Sequence, residues 1–380
     1  MSDHKIWLSS PHMGGYERDY INDAFDSNWI APFGANITGF EHDLEKYLSH
    51  DSFVTALNSA TAAIHLGLIL LDVKPGDVVI CQSLTFSASA NPILYQGATP
   101  VFVDSELETW NLCPLALENA IIDTIYKGKI PKAIITVHLY GVPYKIDEIR
   151  AIANKYNIPI LEDSAEALGS SYKGQKCGTF GDIGVFSFNG NKIITTSGGG
   201  AIVTSNHQQK KKIQFLASQA KDEAPHYEHS ELGFNYQMSN ISAGIGRGQM
   251  IVLEKHIKLR RAMHAFYVSL FENISGITVF TVSNPDYFSN CWLTSILVDP
   301  CETKNKIDKE TIRLTLLKAD IECRPLWKPM HLQPLYKNYP YYGERVAETL
   351  FENGLSLPSG SNLTDSDRDR IRHLLVKLLG

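Results

Sequence analysis

Paired cysteines are absent from this sequence. The six cysteines (Cys81, Cys113, Cys177, Cys291, Cys301 and Cys323) are scattered over 380 residues, and no two of them form a CxxC pair. A chain of 42.4 kDa buries a core large enough to fold without a disulfide framework. We therefore expect reduced thiols and a cytoplasmic protein.

The usual metal-ligand patterns are also missing. His226 and His229 have HxxH spacing, but no carboxylate or cysteine arrangement beside them completes a metal shell. We therefore predict that the protein binds no metal.

Positive charge is in short supply as well. The chain has 35 lysines and arginines against 41 aspartates and glutamates, which gives a net charge of −6. This balance provides no general attraction for nucleic acid or for an anionic membrane surface. No apolar run approaches the roughly 18 residues of a membrane-spanning helix, and the first residues lack the pattern of a signal peptide. We predict no nucleic-acid partner and no membrane association, so any anionic ligand must be held by local donors.

The sequence does contain alternating strand and helix patterns. Between residues 78 and 204 the strand-like runs are VVI, TPVFV, AIITVHL, IPILED, GVFSF and GAIVT. Helical stretches separate several of them, notably Cys113 to Tyr126 and Asp147 to Tyr156. This order is typical of an α/β protein whose sheet is largely parallel. A short helix, Glu17 to Asp26, precedes this region.

A second, smaller α/β unit is predicted near the C-terminus. A long helical run from Ser239 to about Asn273 leads into it. We assign a strand to Trp292–Val298 and helices to Lys309–Ala319 and Asp365–Leu379. We predict a large domain with an N-terminal arm over residues 1–250 and a small domain over residues 251–380.

One lysine occupies a distinctive position. The segment FSFNGNKIITTSGGGA, from Phe186 to Ala201, places Lys192 after a strand-like run and before three glycines. Glycines there allow the backbone to approach a ligand closely. A lysine at the end of a strand can reach a carbonyl group. Taken alone, such a lysine is more often a solvated surface residue.

Three further stretches favour a ligand site. Asn58 and Ser59 provide helix-capping chemistry, so the N–H groups that follow can face an anion. The run IPILEDSAEALG ends a predicted strand with carboxylates, and ligands bind at that end of strands in α/β proteins. The segment SLTFSAS places Phe86 on a loop at the same edge. The chain therefore orders phosphate donors, an aromatic residue, carboxylates and a lysine, which is the set that pyridoxal 5'-phosphate (PLP) requires.

These segments, with the SxxxxK spacing from Ser187 to Lys192, resemble the DegT-type family of nucleotide-sugar aminotransferases. The resemblance runs from about Ile6 to Leu357 and implies fold-type I of the PLP enzymes, with a mostly parallel seven-stranded sheet in the large domain. It also implies a homodimer with shared active sites.

The resemblance assigns roles to individual residues. Lys192 would bind the aldehyde of PLP covalently, Asp163 would pair with the pyridine nitrogen, and Phe86 would stack on the ring. Glu166 would lie near the phenolic oxygen. The phosphate would be bound by Thr61, Ala62, Ser187 and, from the neighbouring subunit, Asn235. Two positions depart from the family pattern: relatives often have glutamine or histidine at position 166 and arginine at position 237, where this chain has Glu166 and Gln237.

A proline-rich loop, CRPLWKPMH, matches an RPxWxxxH-like segment of the family. Its Arg324, Trp327, Lys328 and His331 would bind a phosphorylated, ring-bearing substrate by charge and stacking. The resemblance also places the loop WIAPFG, from Trp29 to Gly34, beside the active site.

The activity implied is transfer of an amino group from glutamate to a keto-sugar. In segments that include RPLWKPMH, LPSG and an altered form of CNWL (NCWL, Asn290 to Leu293), the sequence is most similar to the aminotransferases of the N-acetylbacillosamine type. This similarity implies a UDP-linked 2-acetamido-4-keto-6-deoxy sugar aminated at C4 for a bacterial surface glycan. A GDP- or dTDP-linked 3- or 4-keto sugar is the alternative substrate. Relatives that dehydrate the sugar have histidine in place of the lysine, so Lys192 favours transamination. A PLP-binding regulatory protein without turnover is a further alternative. A plain nucleotide-binding α/β protein is disfavoured, because Gly198 to Gly200 do not form GxGxxG.

Overall fold

A computed structural model of the protein describes residues 4–48 and 51–380. In chain order the strands are β1 (Phe53–Leu57), β2 (Val78–Gln82), β3 (Thr99–Val103), β4 (Ala133–Val137), β5 (Ile160–Asp163), β6 (Ser171–Tyr172), β7 (Gln175–Lys176), β8 (Ile183–Ser187), β9 (Gly200–Thr204), β10 (Ile277–Val279), β11 (Tyr287–Phe288), β12 (Thr294–Val298), β13 (Arg324–Pro325), β14 (Tyr341–Tyr342) and β15 (Gly354–Leu357). The α-helices are α1 (Glu17–Asp26), α2 (Ala35–Leu48), α3 (Ala60–Leu70), α4 (Ser87–Tyr95), α5 (Pro114–Tyr126), α6 (Ile146–Tyr156), α7 (His207–Ala217), α8 (Asn240–Phe271), α9 (Lys309–Lys318), α10 (Val346–Asn353) and α11 (Asp365–Leu379).

The largest sheet has the strand order β1-β9-β8-β5-β4-β2-β3-β14. The pairs from β8 to β14 are parallel, whereas β9 is antiparallel to both of its neighbours. Seven of these strands come from residues 53–204, in agreement with the predicted seven-stranded, mostly parallel sheet. The eighth, β14, comes from the C-terminal part of the chain and was not predicted. This strand is only two residues long, which is too short to show a periodic pattern in the sequence.

Helices cover both faces of this sheet. One face packs against α3, α4 and α7 around residues such as Ile64, Ile93 and Ile213. The other face packs against α5 and α6 through Leu117 and Ile149. Because both faces are buried, the central strands consist of continuous apolar runs rather than an alternating pattern. All parallel strands direct their carboxyl ends to one edge, where their loops converge.

A smaller antiparallel sheet has the order β10-β12-β15-β13. It shares a core with the end of α8 and with α9 and α11. Ile6, near the start of the chain, is also buried in this core and forms a bridge to Ile321. The predicted division between residues 250 and 251 falls within α8, and that boundary stays a prediction.

The helix predicted from about Glu17 to Asp26 is confirmed, and the helix predicted for Asp365–Leu379 is confirmed to the residue. The predicted strand from Trp292 begins two residues later, at Thr294. A turn precedes it, in which Cys291 has a φ of 51° and the N–H of Trp292 donates to Asn290 Oδ1 at 2.9 Å. Among the described residues, no helix is both long and apolar enough to cross a bilayer.

Candidate active site

A cavity of about 860 Å³ lies at the carboxyl edge of the parallel strands. The cavity is lined by nine of the residues that were predicted from the sequence to form a site: Thr61, Phe86, Asp163, Glu166, Ser187, Lys192, Arg324, Trp327 and Lys328. They come from segments spread over more than 260 positions of the chain. The fold therefore brings most of the predicted constellation into one place.

Lys192 lies at the floor of this cavity, in the loop between β8 and β9. Its Nζ is 3.2 Å from Glu166 Oε1 and 4.0 Å from the ring centroid of Trp292. The side chain is only 11% exposed. A buried amine between a carboxylate and an aromatic face, open to a large cavity, is placed to react with a ligand rather than to solvate the surface.

Asp163 is the last residue of β5, a central strand of the sheet. Its Oδ2 accepts a hydrogen bond from the hydroxyl of Ser89 at 2.7 Å, and its Oδ1 accepts one from the N–H of Ala165 at 3.1 Å. Burial raises the pKa of Asp163, while these donors and the charge of Lys192 act in the opposite direction. The carboxyl group is thus held by two hydrogen bonds, and a cationic partner in the cavity would favour its ionised form.

Glu166 follows three residues later and is also buried. Its Oε2 accepts a hydrogen bond from the backbone N–H of Tyr140 at 2.6 Å. Burial raises the pKa of Glu166 to about 7, against the opposing charge of Lys192 and the N–H of Tyr140. Near neutral pH this carboxyl group can therefore either hold or release a proton.

The start of α3 forms one wall. The hydroxyl of Ser59 caps the helix by accepting from the N–H of Ala62 at 3.1 Å. Gly200 lets β9 pass close beneath this helix end, since a Cβ there would lie 2.3 Å from the nitrogen of Ala60. Gly198 lines the cavity, and a Cβ at that position would meet no atom within 4 Å. The wall thus leaves open space beside the partial positive charge of a helix N-terminus, as an anion site requires.

The opposite wall is formed by the proline-rich loop. Trp327 lies with its ring centroid 5.7 Å from that of Phe86, whose ring is 57% exposed beside the cavity. Arg324 donates to Glu322 Oε1 at 2.7 Å, and Glu322 also lines the cavity. Lys328 completes this wall. The wall therefore offers aromatic faces and two cations, one of them already paired.

Three predicted site residues lie outside the cavity lining. His331 is in the wall behind it, where Nδ1 is 2.7 Å from Ser83 Oγ and the ring stacks on Tyr341 at 3.7 Å. The N–H of Ala62 is engaged by Ser59, as described above. Asn235 is exposed, and its carbonyl accepts from Asn58 Nδ2 at 3.0 Å. In this single chain the loop from Trp29 to Gly34 does not line the cavity either.

Several cavity residues escaped the sequence analysis. Trp292 and Glu322 contact the two predicted cations Lys192 and Arg324. Leu8 and Ser9 arrive from the start of the chain, and Ser9 donates to the carbonyl of Asn191 at 2.7 Å. Trp292 lies in a segment, NCWL, that matched the family in altered form, which was the only available signal. The others depend on long-range packing that leaves no local pattern.

Glu162, which is adjacent to Asp163, has a different role. Its side chain is fully buried and accepts from the N–H groups of Gly178, Phe180 and Gly181, and it lies 2.5 Å from His138. The alternation of side chains along a strand sends it away from the cavity. It holds a turn, not a ligand. In the part of the chain that the structure describes, no three His, Cys, Asp or Glu side chains form a metal-binding group.

The donor set fits PLP. A buried lysine can take the aldehyde, a buried carboxylate can face the ring nitrogen, and an open helix N-terminus with Ser187 nearby can hold the phosphate. The exposed ring of Phe86 can cover one face of the pyridine ring. When bound, PLP supplies an aldehyde that exchanges amines and a ring that accepts electrons.

The comparisons with known proteins agree with this chemistry. Residues 11–376 match the DegT/DnrJ/EryC1/StrS aminotransferase family. The protein belongs to this family.

Individual relatives extend the match over nearly the whole chain. EpsN of Bacillus subtilis (strain 168), whose name contains the words pyridoxal phosphate-dependent aminotransferase, is 47% identical over 98% of this chain and 96% of its own. The GDP-perosamine synthase of Escherichia coli O157:H7 is 37% identical over 95% of this chain and 94% of its own. The PLP form of Spr1654 from Streptococcus pneumoniae superimposes with a TM-score of 0.88 at 28% identity, covering 99% of this chain and 100% of that one.

The fold is therefore that of the fold-type I PLP enzymes, and the protein is a PLP-dependent sugar aminotransferase. A plain nucleotide-binding protein and a regulatory protein without turnover are no longer needed as alternatives.

Proposed function

We propose that the protein transfers an amino group from glutamate to C4 of a UDP-linked 2-acetamido-4-keto-6-deoxy sugar, for a bacterial surface glycan. The observation that carries the aminotransferase chemistry is the placement of Lys192 in one cavity of about 860 Å³ with Asp163 and with Glu166, whose Oε1 is 3.2 Å from the amine. The match of the NCWL, RPLWKPMH and LPSG segments to aminotransferases of the N-acetylbacillosamine type supports the sugar.

The chain's own groups would divide the work. Lys192 binds the cofactor aldehyde and, when its amine is free, moves a proton at the substrate carbon. Asp163 keeps a proton on the ring nitrogen through its negative charge. Glu166, near the phenolic oxygen, can hold or release a proton near neutral pH. Ser187 and the start of α3 hold the phosphate.

The walls would hold the nucleotide. Lys328 and Arg324 offer charge-assisted hydrogen bonds to a diphosphate, and Trp327 offers a face for a base. Because Arg324 is shared with Glu322, Lys328 is the freer of the two cations. We place His331 in the wall that positions this loop rather than in contact with the substrate.

A GDP-linked 4-keto sugar is the second candidate substrate. One observation favours it: the E. coli relative at 37% identity is named for GDP-perosamine. The charged and aromatic residues of the walls would serve either nucleotide.

We further propose a cytoplasmic homodimer. Asn235 is exposed, as a residue that contacts a neighbouring subunit's phosphate must be in an isolated chain. All six cysteines are unpaired, which suits a reducing compartment.

The test is an assay with glutamate and matched UDP-, GDP- and dTDP-linked 4-keto-6-deoxy sugars, with and without the 2-acetamido group. We expect the highest kcat/KM for the UDP-linked 2-acetamido sugar, and NMR of the product should locate the new amine at C4. A preference for the GDP-linked sugar without the acetamido group would replace the first candidate with the second. Amination at C3 would overturn the assigned position.

A further inference from the structure

Trp292 contacts the Lys192 loop through its main chain and its ring, although it lies about 100 positions away in sequence. It stands in the turn before β12, is 1% exposed and lines the cavity beside the lysine. Neither the strand prediction for Trp292–Val298 nor the assigned set of cofactor residues gave it a role.

The indole N–H fixes the backbone next to the lysine. Trp292 Nε1–H donates to the carbonyl of Asn191 at 2.7 Å, and the hydroxyl of Ser9 donates to the same carbonyl at 2.7 Å. The peptide that leads into Lys192 is therefore held from two directions. Because Asn191 precedes Lys192 directly, these bonds limit how far the lysine side chain can swing.

Arg260 of α8 fixes Trp292 in turn. The guanidinium is 1% exposed, and its Nη1 donates to the carbonyl of Trp292 at 2.7 Å. Its Nη2 donates to Ser9 Oγ at 2.9 Å and to the carbonyl of Lys192 at 3.4 Å. One buried cation thus joins the main chains of Trp292 and Lys192 to the side chain of Ser9, so these groups are positioned together.

The ring of Trp292 faces the lysine amine. Nζ lies 4.0 Å from the ring centroid, within the distance at which an aromatic face attracts a cation. The carboxylate of Glu166 contacts the same nitrogen at 3.2 Å. The amine therefore contacts both an aromatic face and a carboxyl group at the cavity floor.

We propose that Trp292 is a positioning residue for Lys192: its indole N–H fixes the peptide before the lysine, and its ring holds the free ammonium at the cavity floor. This inference rests on the proposed function of Lys192 as the residue that binds PLP. Whenever the amine of Lys192 is not bound to the cofactor, the ring would give it a defined resting place.

The test follows attachment of added PLP to the cofactor-free, full-length protein. Borohydride reduction at set times, followed by mass spectrometry of the Lys192 peptide, gives the rate of attachment across a pH series. Trp292→Phe keeps a ring but removes the N–H, and Trp292→Leu removes both. The matched control is Trp110→Leu, because Trp110 is also buried and stacks on Phe280 at 3.7 Å but does not line the cavity. The ionisable groups of PLP contribute equally to the pH dependence of every variant, so differences between the curves come from the protein.

For Trp292→Phe we expect the maximal rate, reached at high pH, to fall several-fold, with the midpoint of the rate-against-pH curve unchanged. For Trp292→Leu we expect the same fall together with a midpoint about 0.5–1 pH unit lower, the size that a cation–π contact implies. Trp110→Leu should lower thermal stability and leave both kinetic quantities unchanged.

A Trp292→Leu variant with wild-type rate and midpoint, destabilised to the same extent as Trp110→Leu, would show that Trp292 is only a core residue. If Trp292→Leu fails to fold, Trp292→Met replaces it, and we expect the same change in its midpoint. An unchanged maximal rate in Trp292→Phe would overturn the role of the indole N–H. If PLP attaches to another lysine in the wild-type protein, the function proposed for Lys192 is wrong. If it attaches to Lys192 and the Trp292 variants behave as wild type, only the role of Trp292 is wrong.

Discussion

Glu166 and Lys192 lie 3.2 Å apart at the floor of the cavity, where Glu166 is buried and the side chain of Lys192 is 11% exposed. The two groups share one environment, so the proton affinity of the carboxyl group depends on the charge of the amine. A carboxyl group at this position adds a dependence on pH that an amide could not have.

The Glu166→Gln variant should reduce the pH dependence of stability. The pKa of Glu166 is about 7 in the folded chain and near 4.5 when unfolded, so the unfolded state releases the proton first as pH rises. Stability is therefore fully present below about pH 4.5 and falls until about pH 7, by up to about 3 kcal/mol for this group. Urea unfolding of the cofactor-free protein at about pH 5 and about pH 7.5 should show a smaller loss in the variant. Glu231→Gln, which changes an exposed ion pair with Lys212, is the control; equal losses in all three proteins would exclude this role.

The Lys192→Ala variant should lose both the visible absorbance of lysine-bound PLP and all measurable turnover. The reason is that the family match assigns the aldehyde of PLP to Lys192 and to no other lysine. An absorption spectrum measures lysine-bound PLP, and the glutamate assay measures turnover. Lys328→Ala, which removes another lysine from the same cavity, should keep the absorbance. Retained absorbance and activity in Lys192→Ala would overturn the central assignment.

The Asp163→Asn variant should still bind PLP but turn over about 10²–10³-fold more slowly, since a neutral amide does not hold the ring nitrogen protonated. The measurement is kcat, with cofactor occupancy determined by absorbance. Asp182→Asn is a matched control, because Asp182 Oδ2 accepts from the N–H of Ile160 at the other end of β5. It should lower stability without changing kcat. A near-normal kcat in Asp163→Asn would contradict the role.

Lys328→Ala should raise the KM for the nucleotide sugar about 10-fold or more, because it removes a charge-assisted hydrogen bond to the diphosphate. Its thermal stability should stay close to that of the wild type. His331→Ala should lower thermal stability and leave the KM nearly unchanged, since it removes contacts to Ser83 and Tyr341 within the wall. Steady-state kinetics and thermal unfolding separate the two effects. A large KM effect in His331→Ala at unchanged stability would restore its predicted contact with the substrate.

The Asn235→Asp variant should weaken PLP binding, because a negative charge would face the phosphate of the neighbouring subunit. Light scattering should report a dimer for the wild type and the variant alike, and a PLP titration gives the affinity. A fully active monomer at assay concentration would contradict the shared site.

Much of the site follows from local sequence patterns. Asp163 and Ser187 end apolar runs that can only be buried strands, and parallel strands bring their ends to one edge. Ser59 stands before an apolar helical run, so its role as a cap follows from residue type and position alone. Lys192 could be singled out because its loop joins two such strands.

The remaining residues depend on tertiary packing. Trp292 lies next to a predicted strand, and a buried tryptophan there is usually a core residue. Its contact with Lys192 depends on the turn at Cys291 and on Arg260, which lies more than 30 positions earlier. Glu322, Leu8 and Ser9 reach the cavity because residues 6–8 pair with residues 321–322, which are distant in sequence. No short window of sequence contains that information.

Ile6 pairs with Ile321, and Leu8 pairs with Glu322. Leu8 and Glu322 are 314 residues apart in sequence. During synthesis residues 6–8 leave the ribosome long before their partners, which are made more than 300 residues later. Leu8 can reach its partner only after residue 322 has emerged, so the large sheet can form while the cavity is still incomplete. A nascent or truncated chain that ends before residue 322 would keep its central strands and Lys192 but lack the cavity wall that carries Arg324, Trp327 and Lys328.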